Sequence, residues 1–274
     1  QEIILETYSK FNDDVLRHLF EVSSGYLSSP IGSFDILQSV EKSIYCASKM
    51  HTNGNVLSRL FKEAIKLTYY LKLNEDTQPL NKSLISKYIY LLQKNMGVLA
   101  KKNFIVSGND FEVFYLTKIL LYAGAQSITI IQNDEDESVR QLHKVIKHLD
   151  EVDIGKIFAA TSKSLHYRLS KSDAAIINTS EIHLLNKETI DKVSVIRQTK
   201  KIQYLIDTSE HPILDINEDK LDIHVINPNT NLSYNDEQVN HAMIKFDEEI
   251  QTHIDYFMKY FENLQIEKEK EMTK

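Results

Sequence analysis

One cysteine and ten histidines stand among 274 residues, so any chemistry that depends on either type must start from their spacing. Cys46 lies in Ile44-Tyr45-Cys46-Ala47, an apolar helical stretch where desolvation raises a thiol's pKa, and a small core residue is expected there rather than a nucleophile. A single cysteine excludes an internal disulfide and any multi-cysteine metal site, which fits a reducing compartment, and the cytoplasm is the expected one. His143 and His148, or His211 and His224, have no second ligand at zinc-site spacing, so no metal is expected. No P-loop, nucleophile elbow or paired catalytic carboxylates can be read in the chain. Two features remain: a polar turn, Ser107-Gly108-Asn109-Asp110, after a short apolar run, and an acidic run, Asp134-Glu135-Asp136-Glu137, after a second one.

The elements that must position these residues follow from hydrophobic periodicity. Apolar residues recur at helical spacing through Val15, Leu19 and Val22, then Ile36, Leu37, Val40 and Ile44, then Val56, Leu60, Ala64 and Leu67. Gly25, Pro30 and Gly32 break the pattern once, and Thr52-Asn53-Gly54-Asn55 breaks it again. A polar stretch between Leu73 and Ser83 carries Pro79, which ends or bends a helix. An apolar run at 103–106, an amphipathic helix with Val113, Leu116, Ile119 and Leu120 inward, Gly124, and a run at 127–131 make a βαβ unit. Further strands are expected at 156–160, 174–178, 203–207 and 222–226. The fold class is therefore α/β: a Rossmann-like, doubly wound parallel sheet (79–232), preceded by an all-helical segment (1–78) and followed by a long C-terminal helix (233–274).

From an N-cap at Asn235 or Asp236, that last helix carries Val239, Met243, Phe246, Ile250, Ile254, Phe257, Phe261 and Leu264 at alternating steps of three and four. This seam packs either on its own domain or on a second copy, and a homodimer through 236–264 is the partner expectation it raises. Charged residues make up 26% and hydrophobic residues 42% of the chain, values that suit a folded body. The net charge is −7 and the basic residues are scattered, so charge gives no support to a nucleic-acid partner. No apolar stretch of about 18 residues is present to span a bilayer, and no membrane partner is expected. Because the first residue is Gln, a processed or trimmed form of a longer chain is expected.

The run Asp14-Val15-Leu16-Arg17-His18-Leu19-Phe20-Glu21-Val22-Ser23-Ser24-Gly25-Tyr26-Leu27-Ser28 resembles the "AVxHLxRVASGLDS" stretch of the glutamyl-tRNA reductase family. The resemblance continues through Gly32 to Leu37 ("GExQIL"), Leu60-Phe61-Lys62-Glu63-Ala64, Ser172 to Ser180 ("ADIVISST") and Leu205 to Ser209 ("LIDIAVPRD"), covering nearly the whole chain. It implies a chain that starts midway through the family's catalytic domain and stops at its spine helix. It also implies a catalytic cysteine in a "TCNR" motif and NADPH as the hydride donor. No Thr-Cys-Asn-Arg occurs here. Two family site positions are retained, the histidine at His18 and the serine at Ser28 in the substrate-facing turn.

The cofactor-loop positions that match the family's "GAGE" are Ser107, Gly108, Asn109 and Asp110. Side chains at two of the small positions would block a pyrophosphate's approach to the backbone, and Asp110 and Glu112 put negative charge where a phosphate would sit. Where the family has "NRT", this chain has Gln132 and Asn133 followed by four carboxylates. The expectation is a reductase-like protein without catalysis and without a cofactor, acting as a scaffold for a protein or peptide partner or for a glutamyl-tRNA-linked component. The other reading is a component of an NADPH-dependent glutamyl-tRNA reductase in tetrapyrrole synthesis.

Overall fold

The computed structural model describes residues 13–29, 31–149, 151–178, 187–197, 203–209 and 223–272. Residue 222 of the last expected strand, Thr179 and Ser180 of the family-like motif, and His211 lie outside that set. Two compact units emerge, Gln1–Ser83 together with Tyr234–Lys274, and Leu84–Ser233.

The first unit is helical: α1 (Asp13–Ser23), α2 (Phe34–Lys49), α3 (Asn55–Leu73), a 3₁₀ turn (Glu75–Leu80), and the 37-residue C-terminal helix, Asp236–Met272. Its core joins Leu16 and Phe20 of α1, Leu60, Ala64, Leu67 and Leu71 of α3, and Leu80 to Ala242, Phe246, Ile250, Ile254 and Phe257 of the C-terminal helix. The seam thus packs on the chain's own amino-terminal helical segment. It also runs on a row of steps of four from 242 to 254, so Ala242 faces inward at 0% exposure while Met243, the expected seam position, is 40% exposed. Asn235 caps the helix as expected: its side chain accepts from Gln238 N–H at 2.8 Å while the Gln238 side chain accepts from Asn235 N–H at 3.0 Å.

Cys46 departs from expectation, because it is exposed. The buried face of α2 is set by Phe34, Leu37 and Glu41, and nine residues beyond Leu37 at about 100° each bring Cys46 round to the opposite side. The polar stretch between Leu73 and Ser83 also differs from its composition, for Thr77, Gln78, Pro79 and Leu80 are buried. Polar groups close α3 and open the turn: the Thr77 hydroxyl and the Asn81 amide both donate to the Leu71 carbonyl, and the Asn74 side chain, the cap of the 3₁₀ turn, accepts from Asp76 N–H at 2.9 Å.

The second unit runs α4 (Leu84–Met96), β1 (Asn103–Val106), α5 (Asp110–Tyr122), β2 (Ser127–Gln132), α6 (Glu135–Ile146), a single turn α7 (Glu151–Ile154), β3 (Ile157–Thr161), α8 (Leu165–Lys171), β4 (Ala174–Ile177), α9 (Lys187–Ile196), β5 (Gln203–Asp207) and β6 (Ile223–Ile226). The helix Asp236–Met272 is then α10. All strands pair in parallel in the order β3-β2-β1-β4-β5-β6, the doubly wound dinucleotide-fold order. On one side Ile105, Ile131, Ala175, Ile177 and Leu205 pack with Leu165 and Leu169 of α8 and Ile190 and Val193 of α9. Helix α5 buries Val113, Leu116, Ile119 and Leu120 as expected, but also Tyr115, Thr117 and Leu121. It is enclosed rather than amphipathic, because α4 and α6 flank it as it packs on β1 and β2.

Candidate functional site

The helical unit carries His18 and Ser28, the two positions singled out in the sequence. His18 is half-buried on α1. Ser28 lies in the turn that follows, where its hydroxyl donates to the Gly25 carbonyl at 2.5 Å, and that carbonyl also accepts from the N–H groups of Ser28 (3.1 Å) and Gly32 (2.9 Å). The turn needs glycine at both ends. Gly25 and Gly32 have φ of +75° and +77°, and a Cβ would come 2.8 Å from Ser33 O at the first and 2.9 Å from Asn81 Oδ1 at the second.

Beneath it, Lys72 is 2% exposed, donates from Nζ to Gly32 O at 2.6 Å, and stands 4.4 Å from the centre of the Phe34 ring. Burial pushes its ammonium down to about 7. The cavity lined by Ser24, Tyr26, Gly32, Thr77, Asn81 and Phe246 amounts to about 10 Å³, room for one water at most. Lys72 had no sequence signal, since one lysine on a helix that also carries Lys62 and Lys66 reads as surface.

In the sheet unit Ser107, Gly108, Asn109 and Asp110 do come together, as the turn from β1 into α5. The Asn109 side chain accepts from Glu112 N–H at 3.0 Å and Glu112 Oε2 accepts from Asn109 N–H at 3.2 Å, a complete capping box. Glu112 Oε2 also lies 2.5 Å from where a Cβ on Gly108 would be, so a carboxylate fills the space through which a pyrophosphate would approach. Gln132, at the end of β2, donates to Gly108 O at 2.8 Å and to Gln141 Oε1 at 2.7 Å, closing the loop from the other side.

The charge in this crevice is negative. Burial, with the charges of Glu112 and Asp207 adding to it, pushes the Tyr88 hydroxyl up to about 12. Asp110 is held below the usual carboxylate range by its hydrogen bond with Lys144. Of the donors at this turn, Asn109 N–H and the Lys144 ammonium are taken by the Glu112 and Asp110 carboxylates, and Glu112 N–H by the Asn109 side chain. Among the described residues, no three His, Cys, Asp or Glu side chains converge as a metal-binding group, and no helix is long and apolar enough to cross a membrane.

The family model for the N-terminal domain of glutamyl-tRNA(Glu) reductase matches residues 1–72. Glutamyl-tRNA reductase of Exiguobacterium sibiricum is 35% identical over 118 residues, 43% of this chain and 26% of that protein. Over these stretches the chain is similar to glutamyl-tRNA reductases. The Staphylococcus aureus glutamyl-tRNA reductase is 26% identical over 189 residues, 68% of this chain and 39% of that protein. The chain thus matches between about a quarter and two fifths of the length of these relatives. The solved glutamyl-tRNA reductase of Methanopyrus kandleri aligns over 93% of this chain and 63% of its own, at 19% identity and a TM-score of 0.45.

Proposed function

We propose that this glutamyl-tRNA-reductase-like protein has given up dinucleotide-dependent reduction and serves as a binding or scaffold component, with a protein or peptide of the glutamyl-tRNA-linked pathway as its partner. The observation that supports this reading best is the self-capped start of α5, where Asn109 and Glu112 satisfy each other and the Glu112 carboxylate stands over Gly108. A helix N-terminus attracts anions only while its N–H groups are free and its surroundings are not already negative. Here the N–H groups of Asn109 and Glu112 are taken, and Asp110, Glu112 and Asp207 all stand at the same end of the sheet. The neighbouring Gln132–Gln141–Gly108 network adds a polar plug that a cofactor would have to break. Should the protein pair with a second copy through 236–264, the outward Met243, Ile244 and Tyr256 are the residues to make the contact.

Calorimetric titration with NADPH and with NADH tests the reading. No saturable heat is expected at nucleotide concentrations up to about 1 mM, a weak limit in free-energy terms. Micromolar affinity for either nucleotide would overturn it.

A further inference from the structure

A cavity of about 290 Å³ opens on the sheet unit at the opposite end of the strands from the Ser107–Asp110 turn, with Ser127, Thr129, Phe158, Tyr167, Arg168 and Lys171 in its wall. Asn103 and Ser127, the first residues of β1 and β2, mark this as the amino end of the sheet. The volume falls at the lower edge of small-molecule sites, ~300–1,000 Å³, and so suits one compact ligand rather than a dinucleotide.

The chemistry of the wall is specific. It holds two cations and no acid, in a chain where acidic residues outnumber basic ones by 39 to 32. Arg168 Nε is buried and has no hydrogen-bond partner among the described residues. A buried guanidinium N–H left unpaired is costly, and the group that satisfies it together with a terminal nitrogen is a bidentate oxyanion, a phosphate above all. Asp173 does not supply that anion, since its carboxylate accepts from Asn103 N–H at 2.8 Å and from the Asn103 amide at 3.4 Å. Arg197 donates to the Ser172 carbonyl at 2.8 Å and adds a third cation beside the wall.

Beside these cations, Phe158 and Tyr167 are 45% and 52% exposed, large aromatic faces left in water where a planar ring could stack. The geometry points to a nucleoside monophosphate as the ligand of this cavity, its phosphate on Arg168 and Lys171 and its base against Phe158 and Tyr167. This site is independent of the dinucleotide crevice and of its loss.

The test is titration of the whole chain with adenosine 5′-monophosphate, followed by backbone amide shifts. Saturable shifts are expected in 127–129 and 167–171, with adenosine and ribose 5-phosphate each binding about tenfold or more weakly, since each lacks one of the two contacts. Arg168→Gln is expected to weaken the nucleotide about tenfold or more. Phe158→Ala is expected to weaken it several-fold while leaving ribose 5-phosphate unchanged. No saturation, or shifts confined to 107–112, would overturn the proposal, as would ribose 5-phosphate binding as tightly as the nucleotide. If Arg168→Gln does not fold, the comparison of the three ligands on the unaltered chain and the half-exposed Phe158→Ala still decide it.

Discussion

The helical unit and the sheet unit keep their shape by different means. The helical unit is assembled from both ends of the chain, and its Gly25–Gly32 turn tolerates no Cβ at either glycine. The family model matches in this same region, residues 1–72. The sheet unit is one contiguous stretch whose strands need only apolar residues at the right period. Its Ser107–Asp110 loop joins β1 to α5 beside a sheet in which all the described strands pair in parallel. The first unit depends on exact sterics at two glycines, the second on apolar strands buried on both faces, which a range of side chains can supply.

The largest test of this contrast is Phe246→Ala. Phe246 is 4% exposed and stacks on Tyr26 with ring centres 4.4 Å apart, so its loss is expected to destabilise the helical unit by about 3–5 kcal/mol. Hydrogen exchange should then show protection lost across α1, α3 and α10 and kept in β1, β2 and β4. Equal loss in the strands would mean that the two units unfold as one.

A second, pH-dependent test concerns Lys72 alone. With its pKa lowered to about 7 in the folded chain and near 10.4 when unfolded, the unfolded state binds more protons between those values. Stability should therefore rise with pH across the window from about 7 to 10.4, by at most ~1.4 kcal/mol per pH unit from this group. Lys72→Met should flatten that rise in urea midpoints, and an unchanged slope would put the proton elsewhere. The smallest effect is Asn109→Ala in the sheet unit, expected to cost about 1 kcal/mol by removing the cap of α5, with the strand protection unaltered.

Much of the fold was legible in the sequence, because its signals are local. The strand at 203–207 matches its expected bounds, and Phe246, Ile250, Ile254 and Phe257 are buried as their spacing indicated. Errors arose where a partner decides the outcome. Met243 outranks Ala242 as an apolar residue, yet the packing of α10 on α1 and α3 selects the small one. The stretch 77–80 is buried while Thr77 and Asn81 satisfy the carbonyl end of α3, something composition cannot express. Of the candidate site, the Ser107–Asp110 turn could be located because its four residues are consecutive and follow an apolar run. The cavity at Phe158, Tyr167 and Arg168 could not, because its wall draws on β1, β2, β3 and α8 over some 70 positions and only folding brings them together.

The two-ended construction of the helical unit also bears on how the protein is made. A ribosome releases Leu16, Phe20, Leu60 and Leu67 long before it has synthesised Phe246, Ile250 and Phe257, which complete their core. At about 5–20 residues per second, the 83–257 interval occupies roughly 9–35 s. During that time the nascent amino-terminal helices present an apolar face with nothing of their own to bury it. The sheet unit, emerging in the meantime as a continuous segment, can fold first, and the early helices are then the part of the chain most in need of a chaperone.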